Sequence, residues 1–266
     1  MRVLIAAGGT AGHINPALAI AGALKKADPT AEIHFAGRKE GMEYRLVTQA
    51  GYPFHHIEIT GFQRKLSLNN IKRNFITLWN LVLSGPKAKK MMKDIQPDLV
   101  IGCGGYVSGP VVRCAAKMGI HTALHEQNAF PGLANRTLEK YVDKVFLGFS
   151  DAAKYFKDPS KMVEAGNPVR KSFFSLNKTD TRKKLGFPQD DFIVFSFGGS
   201  LGAEKINEVA FELMQVVNGH EKMRMVFGTG KWYYDSIIKK AEERGIVLKD
   251  NILIKDYIDD MENYLA

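Results

Sequence analysis

Short apolar runs and stretches of helical spacing alternate along the whole chain. Val3 to Ala7 reads as a strand, Pro16 to Ala27 as a helix, Ile33 to Ala36 as a strand and Met42 to Ala50 as a helix, the rhythm of βαβ units. Strands follow near Phe54 to Ile59, Leu99 to Ile101, Thr122 to Leu124 and Val145 to Leu147, with helices at Ile71 to Lys93, Val111 to Met118 and Leu133 to Glu139. Such a pattern belongs to a parallel sheet with helices on both faces. After the turn residues Gly166-Asn167-Pro168 the rhythm restarts, with strands at Phe192 to Phe197, Met223 to Phe227 and Asn251 to Ile254 and helices at Glu204 to Val217 and Trp232 to Arg244. A chain of 266 residues therefore divides into two α/β units, residues 1–165 and 166–266.

Composition narrows the class. With 45% hydrophobic and 24% charged residues and no run of eighteen apolar positions, the chain reads as a globular protein that folds in water. Cys103 and Cys114 are too few for a disulfide framework and lack zinc-site spacing, which fits a reducing cytoplasm. The N-terminal apolar run breaks at Gly8-Gly9, too soon for a signal-peptide core. The net charge of +9 is concentrated between Gly61 and Lys93, where eight Lys and Arg stand among Phe62, Phe75, Trp79 and several leucines without one acidic residue. That stretch suits an anionic membrane surface, and equally a core helix with a solvated basic face. Nucleic acid is disfavoured as a partner, because the aromatics follow no RNA-recognition or helix-turn-helix pattern.

The loop Gly8-Gly9-Thr10-Ala11-Gly12-His13-Ile14-Asn15-Pro16 joins the first strand to the first helix. Asn15 as N-cap and Pro16 as first helical residue would gather the loop amides at a helix N-terminus, where a phosphate is the expected guest. A dinucleotide fingerprint is absent, since Thr10 and His13 occupy positions where glycine is required, so hydride transfer is disfavoured. His13 in such a loop is either a capping residue or a proton acceptor near neutral pH. Gly104-Gly105 offers either a tight turn that lets backbone amides approach a diphosphate or simple relief of packing. Ser200, after Gly198-Gly199, precedes a helix start suited to phosphate, and Arg170 suits either a phosphate or a surface ion pair.

Six blocks carry a resemblance. The loop from Gly8 to Ala17, Gly102-Cys103-Gly104-Gly105-Tyr106-Val107-Ser108-Gly109-Pro110, His125-Glu126-Gln127-Asn128, Gly132-Leu133-Ala134-Asn135-Arg136, Gly166-Asn167-Pro168-Val169-Arg170 and Gly198-Gly199-Ser200-Leu201-Gly202-Ala203 are similar, in order, to the motifs of the MurG-type family. Its members are UDP-N-acetylglucosamine:undecaprenyl-diphospho-muramoylpentapeptide N-acetylglucosaminyltransferases. The resemblance implies a GT-B fold: two doubly wound, Rossmann-like parallel-sheet domains facing a cleft. Residues 1–165 would then take the acceptor and associate with the membrane, and residues 166–266 the UDP-sugar. The family continues past the position of Ala266, so the second domain is expected to be incomplete.

The implied reaction is inverting transfer of N-acetylglucosamine from UDP-GlcNAc to the muramoyl 4-hydroxyl of the undecaprenyl-linked acceptor lipid. The implied place is the cytoplasmic face of the bacterial membrane. For that reaction His13 is the expected acceptor of the hydroxyl proton, Thr10, Ala11 and Gly12 then serve substrate binding, and Gly104, Gly105 and Tyr106 are candidates for the acceptor diphosphate. The resemblance gives Asn128 the donor sugar, Arg170 the donor diphosphate and Ile258 the uracil, while Ser200, before its helix start, suits the UDP phosphates. No cofactor is expected beyond the donor substrate, and no metal, since the chain contains no Asp-x-Asp. Two rivals remain: a UDP-GlcNAc epimerase of the same architecture, and a non-catalytic nucleotide-sugar or membrane-surface module.

Overall fold

The computed structural model describes residues 1–59 and 84–266. It falls into two compact units, Met1–Arg170 and Lys171–Ala266. The first unit extends past Ala165 because Gly166 still donates to the Leu147 carbonyl and the Asn167 side chain to the Gln127 carbonyl.

In the first unit the order is β1 (Arg2–Ala6), α1 (Ala11–Ala27), β2 (Glu32–Gly37), α2 (Met42–Gln49), β3 (Phe54–His56), α3 (described over residues 84–95), β4 (Leu99–Gly102), α4 (Ser108–Lys117), β5 (His121–Glu126), α5 (Leu133–Leu138), β6 (Lys144–Leu147) and β7 (Met162–Glu164). All seven strands are parallel, in the order β3-β2-β1-β4-β5-β6-β7. Alternate residues of one strand feed two cores: Leu4 and Ala6 pack with Val100, Leu124 and Val145 on one face, Val3 and Ile5 with Ile33, Phe35 and Ile101 on the other. Both faces are dry, which explains why the strands read as continuous apolar runs. β2 and β3 extend from one side of β1 and β4 to β7 from the other, so the winding reverses between β1 and β4. A crevice opens outside the carboxyl ends of those two strands, the place where open α/β sheets receive ligands.

One local expectation is overturned there. α1 starts at Ala11, not at Pro16, with Thr10 as its N-cap and Pro16 inside the helix. Thr10 has the extended backbone of an N-cap (φ −142, ψ 156), and its carbonyl accepts from the His13 and Ile14 amides at 3.1 and 3.2 Å. Winding therefore begins as soon as Gly9, at φ +88, has turned the chain. The fixed φ of Pro16 suits a helix, so the ring is carried within the second turn at the loss of one backbone bond. The consequence is functional: His13 belongs to the first turn of a helix rather than to a loop.

The helix expected over Ile71 to Lys93 and the basic stretch Gly61 to Lys93 lie in part outside the described residues. Over 84–95 the segment is a core helix with a solvated basic face: Ala88, Met91, Met92 and Ile95 are buried while Lys87, Lys89, Lys90 and Lys93 are exposed. Among the described residues no helix is long and apolar enough to cross a membrane.

The second unit contains α6 (Ser172–Ser175), α7 (Lys178–Leu185), β8 (Phe192–Phe197), α8 (Glu204–Val217), β9 (Met223–Gly228), α9 (Tyr234–Glu243), β10 (Ile252–Lys255) and α10 (Met261–Leu265). Its sheet is parallel, in the order β10-β9-β8. Phe211 and Met214 of α8 and Ile237 of α9 close its core over Met225 and Phe227. The pattern missed α7, whose eight residues hold one apolar side chain and so show no period. Its ends define it instead: the Asn177 side chain accepts from the Asp180 amide at 2.9 Å, and Gly186 leaves the helix at φ +69.

Candidate active site

Three loops of the first unit meet at the crevice. The first is the turn from β1 into α1. Glu43, 1% exposed although it is a carboxylate, accepts from the Gly9 amide at 3.3 Å and from the Arg38 amide at 3.0 Å. Gly8 and Gly41 make room for it, since a Cβ on either would come within 2.7 and 2.2 Å of its carboxylate oxygens. Because Glu43 takes the Gly9 amide, the donors left for an anion are the Ala11 and Gly12 amides of the first turn, which have no acceptor within α1. The helix start at which an anion was expected thus lies at Ala11 rather than at Pro16.

The second loop leaves β4. Gly104 (φ +102) and Gly105 (φ +77) turn sharply, and both approach the first loop. A Cβ on Gly104 would lie 2.5 Å from His13 Nδ1, and one on Gly105 would lie 2.3 Å from the Gly8 carbonyl oxygen. Fully buried Ser108 pins the turn, its hydroxyl accepting from the Gly104 amide at 3.0 Å and lying 2.9 Å from the Ala6 carbonyl. Tyr106 stands half exposed at the rim.

The third loop leaves β5. Glu126, 1% exposed, accepts at one oxygen from the backbone and side-chain nitrogens of Asn128, both at 2.9 Å. Its other oxygen takes the Gly132 amide at 3.1 Å and the Asn135 side chain at 2.9 Å. Four donors around one carboxylate fix the loop and turn the Asn128 amide nitrogen inward, so its oxygen is the atom offered to solvent. Beside it, Gln127 bridges His13 and His125: its Oε1 lies 3.0 Å from His13 Nδ1, and its Nε2 lies 2.9 Å from His125 Nδ1. Burial holds the His125 imidazole below its ordinary pKa, against opposing contributions from its bond to the Gly166 carbonyl and from Glu126. Cys103, fully buried under this edge, has its thiol pushed up to about 12 by burial and is no nucleophile.

The residues expected at the site divide between the two units. Thr10, Ala11, Gly12, His13, Gly104, Gly105, Tyr106 and Asn128 all lie at the carboxyl edge of the first sheet, and Arg170 ends that unit. In the second unit Ser200 lies in the turn from β8 to α8, where its carbonyl accepts from the Lys231 amide at 3.3 Å. Gly202 (φ +90) lets that turn approach Thr229, whose carbonyl oxygen would stand 2.2 Å from a Cβ there. Ile258, 7% exposed, packs against Gly228 at the end of β9. Ser200 and Ile258 thus share the carboxyl edge of the second sheet. Glu43, Ser108, His125, Glu126 and Gln127 were assigned no function from sequence. Only the buried polar character of the last three within one strand-end block could have signalled them.

Comparison with known proteins identifies the architecture. Residues 3–147 match the glycosyltransferase family 28 N-terminal domain. Over all 266 residues the chain is 46% identical to the UDP-N-acetylglucosamine--N-acetylmuramyl-(pentapeptide) pyrophosphoryl-undecaprenol N-acetylglucosamine transferase of Acetivibrio thermocellus, covering 70% of that protein. The chain belongs to this transferase family. It is 42% identical over its full length to the Caldanaerobacter subterraneus transferase of the same description, 71% of which it covers. Among solved structures it matches MurG of Acinetobacter baumannii, with 26% identity, a TM-score of 0.59 and coverage of 98% of this chain and 67% of that one. The UDP-GlcNAc 2-epimerase of Neisseria meningitidis matches with 16% identity and a TM-score of 0.64, covering all of this chain and 75% of that one, a likeness of fold alone. The two parallel α/β units are those of a GT-B transferase.

Proposed function

We propose that the chain transfers N-acetylglucosamine, with inversion, from UDP-GlcNAc to the muramoyl 4-hydroxyl of the undecaprenyl-linked muramoyl-pentapeptide, the lipid I to lipid II step of peptidoglycan synthesis. The observation that carries the mechanism is the convergence of His13, the free amides starting α1 and the Gly104-Gly105 turn on one crevice. A helix N-terminus attracts the acceptor diphosphate and holds the hydroxyl beside His13. The acceptor oxygen attacks the anomeric carbon while His13 removes its proton, the bond to the UDP oxygen breaks, and UDP leaves with the electron pair. Ser200 and the first amides of α8, together with Arg170, offset the charge that develops on the diphosphate. Asn128, held by Glu126, offers an amide oxygen to a donor-sugar hydroxyl, and Ile258 borders the uracil.

The basic stretch Gly61 to Lys93 binds the anionic cytoplasmic face of the membrane, where the acceptor lipid resides. Anionic vesicles should capture the protein less as salt rises, and capture unaffected by replacing Lys72, Arg73 and Trp79 removes this part of the reading.

The test of the reaction is to mix the protein with UDP-GlcNAc, then add the acceptor lipid, and follow UDP and the lipid-linked disaccharide. Appearance of both supports transfer. Nucleotide-sugar binding without UDP release makes the chain a binding module, and a C2-epimerised sugar makes it an epimerase.

A further inference from the structure

The two buried polar side chains behind His13, those of Gln127 and His125, form one continuous line, and carbonyl oxygens at two points along it fix where every proton sits. We propose that Gln127 and His125 are positioning residues that hold His13 as the Nδ1–H tautomer and leave Nε2 as its proton-accepting atom. The inference rests on the reading of His13 as the base.

His125, 3% exposed, places Nε2 3.1 Å from the Gly166 carbonyl. A carbonyl oxygen only accepts, so Nε2 carries a hydrogen, and the neutral ring presents a bare Nδ1 on its other side. The Gln127 amide reaches that side with one end 2.9 Å from His125 Nδ1 and 2.9 Å from the His125 carbonyl oxygen. Two acceptors face that end, so it is the NH2 group, and both its hydrogens are used. The other end is therefore the oxygen. It lies 3.0 Å from His13 Nδ1, which must donate. One assignment of hydrogens satisfies all four contacts, and it determines the tautomer of a ring at the crevice from a carbonyl behind the sheet edge.

Gln127 cannot drift from this arrangement. It is 8% exposed, its own carbonyl accepts from the Asn167 side chain at 3.1 Å, and the Gly104 turn closes on the other side of the His13 ring. Turning its amide over would set its oxygen against the His125 carbonyl and offer an NH2 to His13, reversing the His13 tautomer and removing the lone pair from Nε2. The geometry is that of a base oriented by a third group, with a neutral amide where a carboxylate is the commoner choice.

A long-range 15N–1H correlation spectrum of the full chain, without substrate and in mildly alkaline buffer, reads the tautomer directly. The expected result is a protonated Nδ1 and a bare Nε2, and a protonated Nε2 overturns the proposal. In Gln127→Met, of similar length but without the amide, His13 should shift toward the Nε2–H form. The kcat should fall about 10²-fold, with the KM for both substrates within about twofold of the parent. A Gln127→Met protein that keeps both tautomer and kcat overturns the proposal as well. Because the spectrum needs no turnover, a transferase assay that fails while His13 shows Nδ1–H defeats the reaction assigned above and leaves the relay standing.

Discussion

Replacing Gly104 with alanine isolates the spatial demand of the crevice. Two costs are expected. Gly104 sits at φ +102, where a residue with a side chain is strained by about 1–3 kcal/mol. In addition, the new methyl would lie 2.5 Å from His13 Nδ1 and 2.7 Å from its Cε1, so the ring must retreat by about 1 Å to reach ordinary contact. That displacement breaks the 3.0 Å bond to Gln127 and moves the base from its line of attack. Misplacement of a reacting group by about 1 Å costs on the order of 10²-fold in rate. Gly119→Ala supplies the control, since Gly119 has a comparable positive φ of +74 but no atom within 4 Å of its would-be Cβ. Steady-state UDP release and thermal unfolding should be measured on both variants. Both should lose stability, while only Gly104→Ala should lose turnover by about 10²-fold. Equal kcat in the two variants would refute the reasoning that the Gly104 turn shapes the position of His13.

Three further outcomes follow from the same contacts. Glu126→Ala strips one acceptor from four nitrogens, so urea unfolding should show a loss of roughly 1–3 kcal/mol, and nucleotide-sugar affinity, read by calorimetry, should fall because Asn128 is released. His34 Nδ1 and His55 Nε2 share a 3.0 Å hydrogen bond, and both imidazoles are held below 6.5, first by burial. The neutral forms are favoured in the folded state, so their stabilisation is complete above pH 6.5 and is lost as pH falls through the lower folded values. Urea midpoints should drop on acidification in the parent and less in a His34→Gln/His55→Gln protein. Cys114 should react with iodoacetamide in the native protein, whereas Cys103, fully buried with its thiol pushed to about 12, should react only at the rate of unfolding.

The first unit's parallel sheet was legible because its strands are buried on both faces, so the run at Val3 to Ala7 lies within a residue of β1; the run at Phe192 to Phe197 coincides with β8 although both its ends are exposed. The ends of α8 were likewise recovered, since Phe211, Met214 and Val217 keep helical spacing against the core. What failed was punctuation. Pro16 looked like a helix start because proline favours that position, but Gly9 and the extended Thr10 had already begun the helix. The candidate site was legible as strand-end glycines and a histidine. Its interior was not, because Glu43 and Gln127 gain their meaning from loops 34 and 114 residues away in sequence. No local pattern records that a carboxylate on α2 takes the Gly9 amide, or that an amide after β5 meets a ring on α1.

Whether His13 is the base is decided by the single-turnover rate of lipid-linked disaccharide formation by His13→Ala and the parent, with both substrates saturating. The rate should fall about 10²–10⁴-fold in the variant with UDP-GlcNAc affinity unchanged. A His13→Ala protein that transfers the sugar at the parental rate would contradict it.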